Sequence, residues 1–104
     1  MQTTITARHC EIPEALRERA LAVCDRLARH ASRPLECSVI FDVERLDQTV
    51  ELKLHISHGE VFVATGEGAD HRSALDRAEE RIKRQLERRH PHPSRQKPAG
   101  IPEA

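Results

Sequence analysis

Aromatic side chains are almost missing from this sequence. Phe41 and Phe62 are the two there are, with no Trp and no Tyr among 104 residues. That argues against a surface on which bases stack, the device of many single-strand binders and aromatic-bearing sheets. Net charge is missing as well, because 17 Lys+Arg balance 17 Asp+Glu. Global charge therefore gives no pull toward nucleic acid; only its distribution can. Apolar runs are far too short to span a membrane, and Met1–Arg8 alternates in a way unlike a signal peptide, which predicts a cytoplasmic protein. Cysteine comes as an odd three, Cys10, Cys24 and Cys37, without paired spacing. Free thiols in a reducing cytosol follow, with Cys24 and Cys37 in the core.

Catalytic and metal-binding patterns are missing too. The seven histidines, His9, His30, His55, His58, His71, His90 and His92, form no His-Glu-x-x-His, and no Cys-x-x-Cys occurs. Solvated surface histidines are the expectation, with no metal and no cofactor. Gly66-Glu67-Gly68 lacks the spacing and the Lys-Ser/Thr end of a phosphate loop. No catalytic residues are assigned, and an enzyme is not expected.

What is present is clear periodicity. Gln2–Arg8 alternates and is rich in Thr and Ile, which predicts a strand. Pro13–His30 carries Leu16, Ala20, Val23 and Leu27 at helical spacing, with Pro13 and Glu14 suited to its first turn. Arg19 and Arg26 share one flank; Glu14, Glu18 and Asp25 lie on the far side. Leu35–Glu44 and Gln48–Ser57 alternate again, joined by a turn at Arg45-Leu46-Asp47. Glu60–Gly66 is a third strand of the meander, with its register open: Val61/Val63 and Phe62/Ala64 are both plausible inner faces. Gly66 and Gly68 are read as loosening its exit, and Asp70 or Ser73 as capping the next helix.

That helix, Asp70–Arg89, carries two stripes. Leu75, Ala78, Ile82 and Leu86 form an apolar one; Arg77, Arg81, Arg84 and Arg88 form the other. At about 100° per residue the arginines fall within roughly 60°, about 135° from the apolar stripe. One face can be buried while the other holds guanidinium groups toward solvent, a spacing that suits a line of phosphates. The alternative stays open. Asp76, Glu79, Glu80 and Glu87 lie on the same helix, Glu80–Arg84 is a favourable i, i+4 pair, and the macrodipole favours cations at this end in any case.

The predicted architecture is α+β, in the order β-α-β-β-β-α. A four-stranded, mostly antiparallel sheet carries two helices packed on one face and leaves the other open to water. Residues 1–89 form the domain. His90–Ala104, with four of the six prolines, is read as a disordered tail.

The ordered set of motifs resembles the short ribosome hibernation-promoting factors, the ribosome-associated translation inhibitor or sigma-54 modulation family. It comprises Ile5-Thr6, Glu11 through Glu18, Arg26-Leu27, Val43-Glu44-Arg45, Gly59-Glu60, the Glu67–Asp70 turn, Ala74-Leu75-Asp76 and Lys83-Arg84-Gln85-Leu86. Asp70-His71-Arg72 departs from the family's Asp-Met-Tyr, and the family's lysine-rich end is mostly arginine here. The resemblance implies a fold similar to double-stranded RNA-binding domains. It also implies a non-enzymatic protein on the small ribosomal subunit, in contact with 16S rRNA and neighbouring ribosomal proteins in the decoding channel. There it covers mRNA and tRNA sites and represses translation under stress or in stationary phase. A role at 100S ribosome dimers is left open; free in solution, a monomer is expected. The candidate RNA-binding residues are Arg81, Lys83, Arg84, Arg88 and Arg89 on the last helix, Arg19, Arg26 and Arg29 on the first, and Arg45 on the turn. The alternative is a protein–protein regulatory module working through the open sheet face, where Ile40 and Lys53 would matter more.

Overall fold

The computed structural model of the chain describes residues 1–89, the last of them by its backbone alone. The tail expected over 90–104 lies outside the described residues. The elements are β1 (Gln2–Ala7), α1 (Glu14–Arg29), β2 (Pro34–Glu44), β3 (Asp47–Ile56), a 3₁₀ turn (Ser57–Gly59), β4 (Val61–Gly68) and α2 (His71–Arg89). The sheet order is β1-β2-β3-β4; β1 runs parallel to β2, and the other two pairs are antiparallel. A parallel pair needs a crossover, and α1 supplies it. The predicted order and layering are therefore those observed.

The inner face of the sheet carries Cys37, Val39 and Phe41 of β2, Val50, Leu52, Leu54 and Ile56 of β3, and Phe62 and Ala64 of β4, all buried. Leu16, Ala20, Val23, Cys24 and Leu27 of α1 close the core on one side, and Ala74, Leu75, Ala78, Ile82 and Leu86 of α2 on the other. Both predicted apolar stripes are thus buried, and Cys24 of α1 and Cys37 of β2 lie in the core with them as free cysteines.

The structure decides the register of β4. Phe62, Ala64 and Gly66 point inward; Val61 and Val63 are exposed. The reason lies at Gly66, where an added Cβ would stand 2.0 Å from the Ala74 carbonyl oxygen and 2.8 Å from the Ala78 amide nitrogen. The backbone of α2 rests almost directly on β4 here, which only glycine in the strand and alanine in the helix permit. Gly66 is therefore a seat for the helix, and β4 continues past it to Gly68, correcting the expectation of a loosened exit.

Two further expectations are corrected. The β2–β3 turn is only Arg45 and Leu46, with Glu44 opposite Asp47, so Arg45 takes the positive φ (59°) that a two-residue hairpin imposes. His71 is buried rather than solvated. Its Nε2–H donates to the Asp42 carbonyl oxygen at 2.8 Å, and its ring meets Phe41 edge-on at 5.3 Å. Of the two capping candidates, Asp70 is the cap: its Oδ1 accepts from the Ser73 amide at 2.7 Å, which holds its carboxyl below the usual range.

Candidate nucleic-acid interface

The topology sets the direction of both helices. β1 is parallel to β2, and β4 is antiparallel to its neighbour β3, so β1 and β4 point the same way. Each is followed by a helix that runs back over the sheet, so α1 and α2 are parallel. Their C-terminal ends lie toward the same end of the molecule, with α2 reaching further than α1, and their macrodipoles point the same way. The charges follow that field. Glu14 opens α1 and Asp70 caps α2. Arg26 and Arg29 occupy the last turn of α1, and Lys83, Arg84, Arg88 and Arg89 lie toward the end of α2.

The arginines of the helical layer divide by what lies within their reach. Arg19 grips Asp76 of α2 through Nε and Nη2, at 2.9–3.3 Å. Arg26 grips Glu79 of α2 in the same bidentate way, at 2.8 and 3.1 Å. Glu79 is buried, and its proximity holds the Arg26 guanidinium more firmly charged than usual. These two bridges tie α1 to α2. They engage Arg19 and Arg26 inside the fold, although Arg26 still lines the groove of about 470 Å³ that runs between the helices beside Lys83 and Arg84.

The arginine stripe divides as well. Arg77 donates to the Glu67 carbonyl oxygen, Arg81 to that of Thr65, and Gln85 to that of Val63 at 2.9 Å. Positions four apart on a helix advance about 6 Å, and positions two apart on a strand about 6.6 Å, so the two ladders stay in step. The outward carbonyls of edge strand β4 are thereby occupied by α2. The expected row of four guanidiniums pointing at solvent is reduced: Arg77 and Arg81 turn down onto β4, and Arg84 and Arg88 remain outward. Arg77 does not balance Asp76, which is held by Arg19.

What remains open lies toward the C-terminal ends of the two helices. Arg84 pairs with Glu80 at 3.2 Å, and both side chains are about two-thirds exposed (64% and 66%). Such a pair contributes at most about 1 kcal/mol, so a phosphate can displace the carboxylate. Among the described residues Lys83, Arg88 and Arg29 take no ion-pair partner. Arg84 and Arg88 flank a hollow of about 350 Å³ with Arg81 and Gln85. Arg89 belongs to the last turn of α2. Arg45 is not brought to this site, because the β2–β3 hairpin tip lies at the end of the sheet where the helices begin.

The open face of the sheet has the opposite sign. Glu36, Asp42, Glu51 and Glu67 lie on it with Lys53. At its edge the His9 Nδ1–H donates to Asp42 Oδ1 at 3.0 Å, and the Val43 amide to the same oxygen at 2.8 Å. Both bonds hold the Asp42 carboxyl below its ordinary value. Acidic side chains thus outnumber basic ones on the open face, while the exposed cations of the helical layer gather toward one end. Among the described residues no group of three or more His, Cys, Asp or Glu is arranged to hold a metal ion, and no helix is long and apolar enough to cross a membrane.

Residues 3–91 match the family described as sigma 54 modulation protein / S30EA ribosomal protein. The chain belongs to that family. Members similar to it include the ribosome hibernation promoting factor of Azotobacter vinelandii, 37% identical over 86 residues, which span 83% of this chain and 79% of the relative. The Escherichia coli (strain K12) protein of the same name is 36% identical over 86 residues, spanning 83% and 90%. Among solved structures, the N-terminal domain of Thermus thermophilus Protein Y superposes with a TM-score of 0.75 at 25% identity, covering 86% of this chain and all of that one. A ribosomal subunit interface protein from Coxiella burnetii shares the fold, with a TM-score of 0.74 at 21% identity over 86% and 97% of the chains.

For this S30EA-family chain, sequence reasoning missed Asp76, Glu79, Gln85 and His71. One signal was available. Acids at i and i+3 on the second helix face basic residues at i and i+7 on the first, but only once the helices are known to lie parallel and side by side. The burial of His71 left no periodic mark.

Proposed function

We propose that this protein is a non-enzymatic ribosome hibernation factor. It binds the small ribosomal subunit in the decoding channel, blocks mRNA and tRNA, and represses translation in stressed or stationary cells. Its contact with 16S rRNA is made by the C-terminal parts of α1 and α2. Arg29, Lys83, Arg84, Arg88 and Arg89 make the primary phosphate contacts, with Arg26 and Arg81 offering their remaining N–H groups from structurally engaged positions. The observation that carries this reading is the division of the arginines. Those early in the helical layer are held within the fold, while those at its basic end have exposed or exchangeable partners. Guanidinium groups suit phosphate, and structured RNA is recognised through its backbone and shape without aromatic stacking. Family membership and the named relatives support the ribosome as partner. Arg19 and Arg45 have no part in this contact.

The test is small-subunit binding as a function of salt, coupled to translation in a purified system. Wild-type protein pellets with the small subunit and inhibits translation. Arg84→Ala combined with Arg88→Ala lowers affinity and flattens the salt dependence. An unchanged affinity and slope would rule out this face. Protein that stays in the supernatant would favour a protein–protein module acting through the acidic sheet face, for which Lys53→Glu is the matching probe.

A further inference from the structure

The two edges of the sheet are treated differently. On β4, the outward carbonyls of Val63, Thr65 and Glu67 are occupied by Gln85, Arg81 and Arg77. Among the described residues nothing comparable happens on β1. There β1 pairs with β2 alone, and the Arg8 amide donates to the Phe41 carbonyl oxygen at 2.8 Å. Alternate residues of a strand turn their backbone groups to the same side. Gln2, Thr4 and Thr6 therefore share the β2 side with Arg8, and the N–H and C=O groups of Thr3, Ile5 and Ala7 face outward. Natural edges are commonly guarded by charge, proline or a bulge. Residues 1–7, MQTTITA, have no charged side chain and no proline, and the β1–β2 register runs without a shift.

We infer that β1 pairs antiparallel with β1 of a second copy of this chain, joining two sheets across a two-fold axis. Three features select a second copy as the occupant. The side chains of β1 are all neutral, so self-pairing sets no like-charged β1 side chains against one another. Its threonines on the open face can pair with threonines across the axis, a favourable cross-strand combination. And Leu21 of α1, 44% exposed, lies on the same flank. It stands two residues, about 200°, from Arg19, which points at α2, so Leu21 is on the side away from α2, above the β1 edge. Pairing there leaves the α2–β4 side free, and the dimer carries two basic ends that point in opposite directions.

The contact is small, and its expected dissociation constant is about 10 µM to 1 mM. Sedimentation equilibrium across that range, with amide exchange followed by NMR, tests it. The expected result is a monomer–dimer equilibrium in which the amides of Thr3, Ile5 and Ala7 gain protection as concentration rises. Thr3→Pro removes an outward N–H and none of the β1–β2 ladder, and weakens the dimer about tenfold. Thr4→Lys, at an exposed position on the open face, sets lysines near one another across the axis and also weakens it, which keeps the test valid should the proline variant fold poorly. Arg84→Ala combined with Arg88→Ala leaves dimerisation unchanged, which separates this inference from the ribosome reading. A monomer throughout the range overturns the proposal. So does dimerisation without protection of these three amides, or their protection only on adding ribosomes, which would assign the edge to a ribosomal protein segment.

Discussion

The helical layer places one residue type in two opposite settings. Near the start and middle of the helices, Arg19, Arg77 and Arg81 are drawn inward onto Asp76 and the edge of β4. At the far end, Arg84 and Arg88 have only an exposed glutamate or no partner among the described residues. Arg26 stands between, gripping buried Glu79 while lining the groove shared with Lys83 and Arg84. The difference is not in the guanidinium. It lies in which acceptors the tertiary fold brings within about 3 Å. An arginine stripe on a helix is therefore not a binding site until the neighbouring strand and helix are known. Here the neighbours take the first half of the stripe and leave the second.

The largest effect should come from disturbing the seat that brings these groups together. Gly66→Ala places a methyl 2.0 Å from the Ala74 carbonyl oxygen. The helix must lift, at a cost of about 3 kcal/mol, and Tm should fall by roughly 15 °C in calorimetry. Because Arg77 and Arg81 lose their carbonyls when α2 lifts, the two classes of arginine should become alike in amide-exchange protection and side-chain order.

The contrast itself is measured next by binding. Arg84→Ala with Arg88→Ala should weaken small-subunit affinity by about 10–100-fold and lower the magnitude of the salt slope by about 1.5. Arg19→Ala should leave the salt slope where it was. Equal slopes for both variants would erase the distinction.

Smaller effects grade the two helix–helix bridges. Glu79 is 11% exposed at its side chain and Asp76 46%. Glu79→Ala should cost about 1–2 kcal/mol, because Arg26 is itself partly solvated and its pairing is screened. Asp76→Ala should cost less than about 1 kcal/mol. Urea denaturation of the two variants gives the order directly, and a larger loss for Asp76→Ala would contradict it.

The smallest change is in acid. The carboxyls of Asp70 and Asp42 are held below their ordinary values in the folded protein by hydrogen bonds from Ser73, and from His9 and Val43. A depressed folded value means that the contribution is complete above the unfolded value, about 3.9. It is lost as pH falls through the folded ones. Tm should therefore decline below about pH 4. Asp70→Asn, which keeps a capping oxygen but does not titrate, should make that decline shallower with little change at neutral pH.

Much of the fold could be read before any coordinates. Helical spacing gave α1 and α2 within a residue or two, and strict alternation gave β2 and β3, because burial on one face imposes those periods directly. β4 resisted because valine and phenylalanine alternate with residues apolar enough for either face. Its register was set by the close approach of Ala74 and Ala78 to Gly66, a contact 8–12 residues away in sequence. The site was half legible. The basic end of α2 was visible as a run of charges. The engagement of Arg19, Arg26, Arg77 and Arg81 was not, since each partner lies on another element.

Sequence alone determined the elements, the apolar stripes and the balance of charge, because these follow from local periodicity and composition. Only the tertiary structure decided which arginines are engaged within the fold and which are left exposed. Parallel helices and an adjacent edge strand supplied acceptors to some and none to others. A charged side chain is committed by the groups packed beside it in space, and sequence spacing along one helix does not contain them.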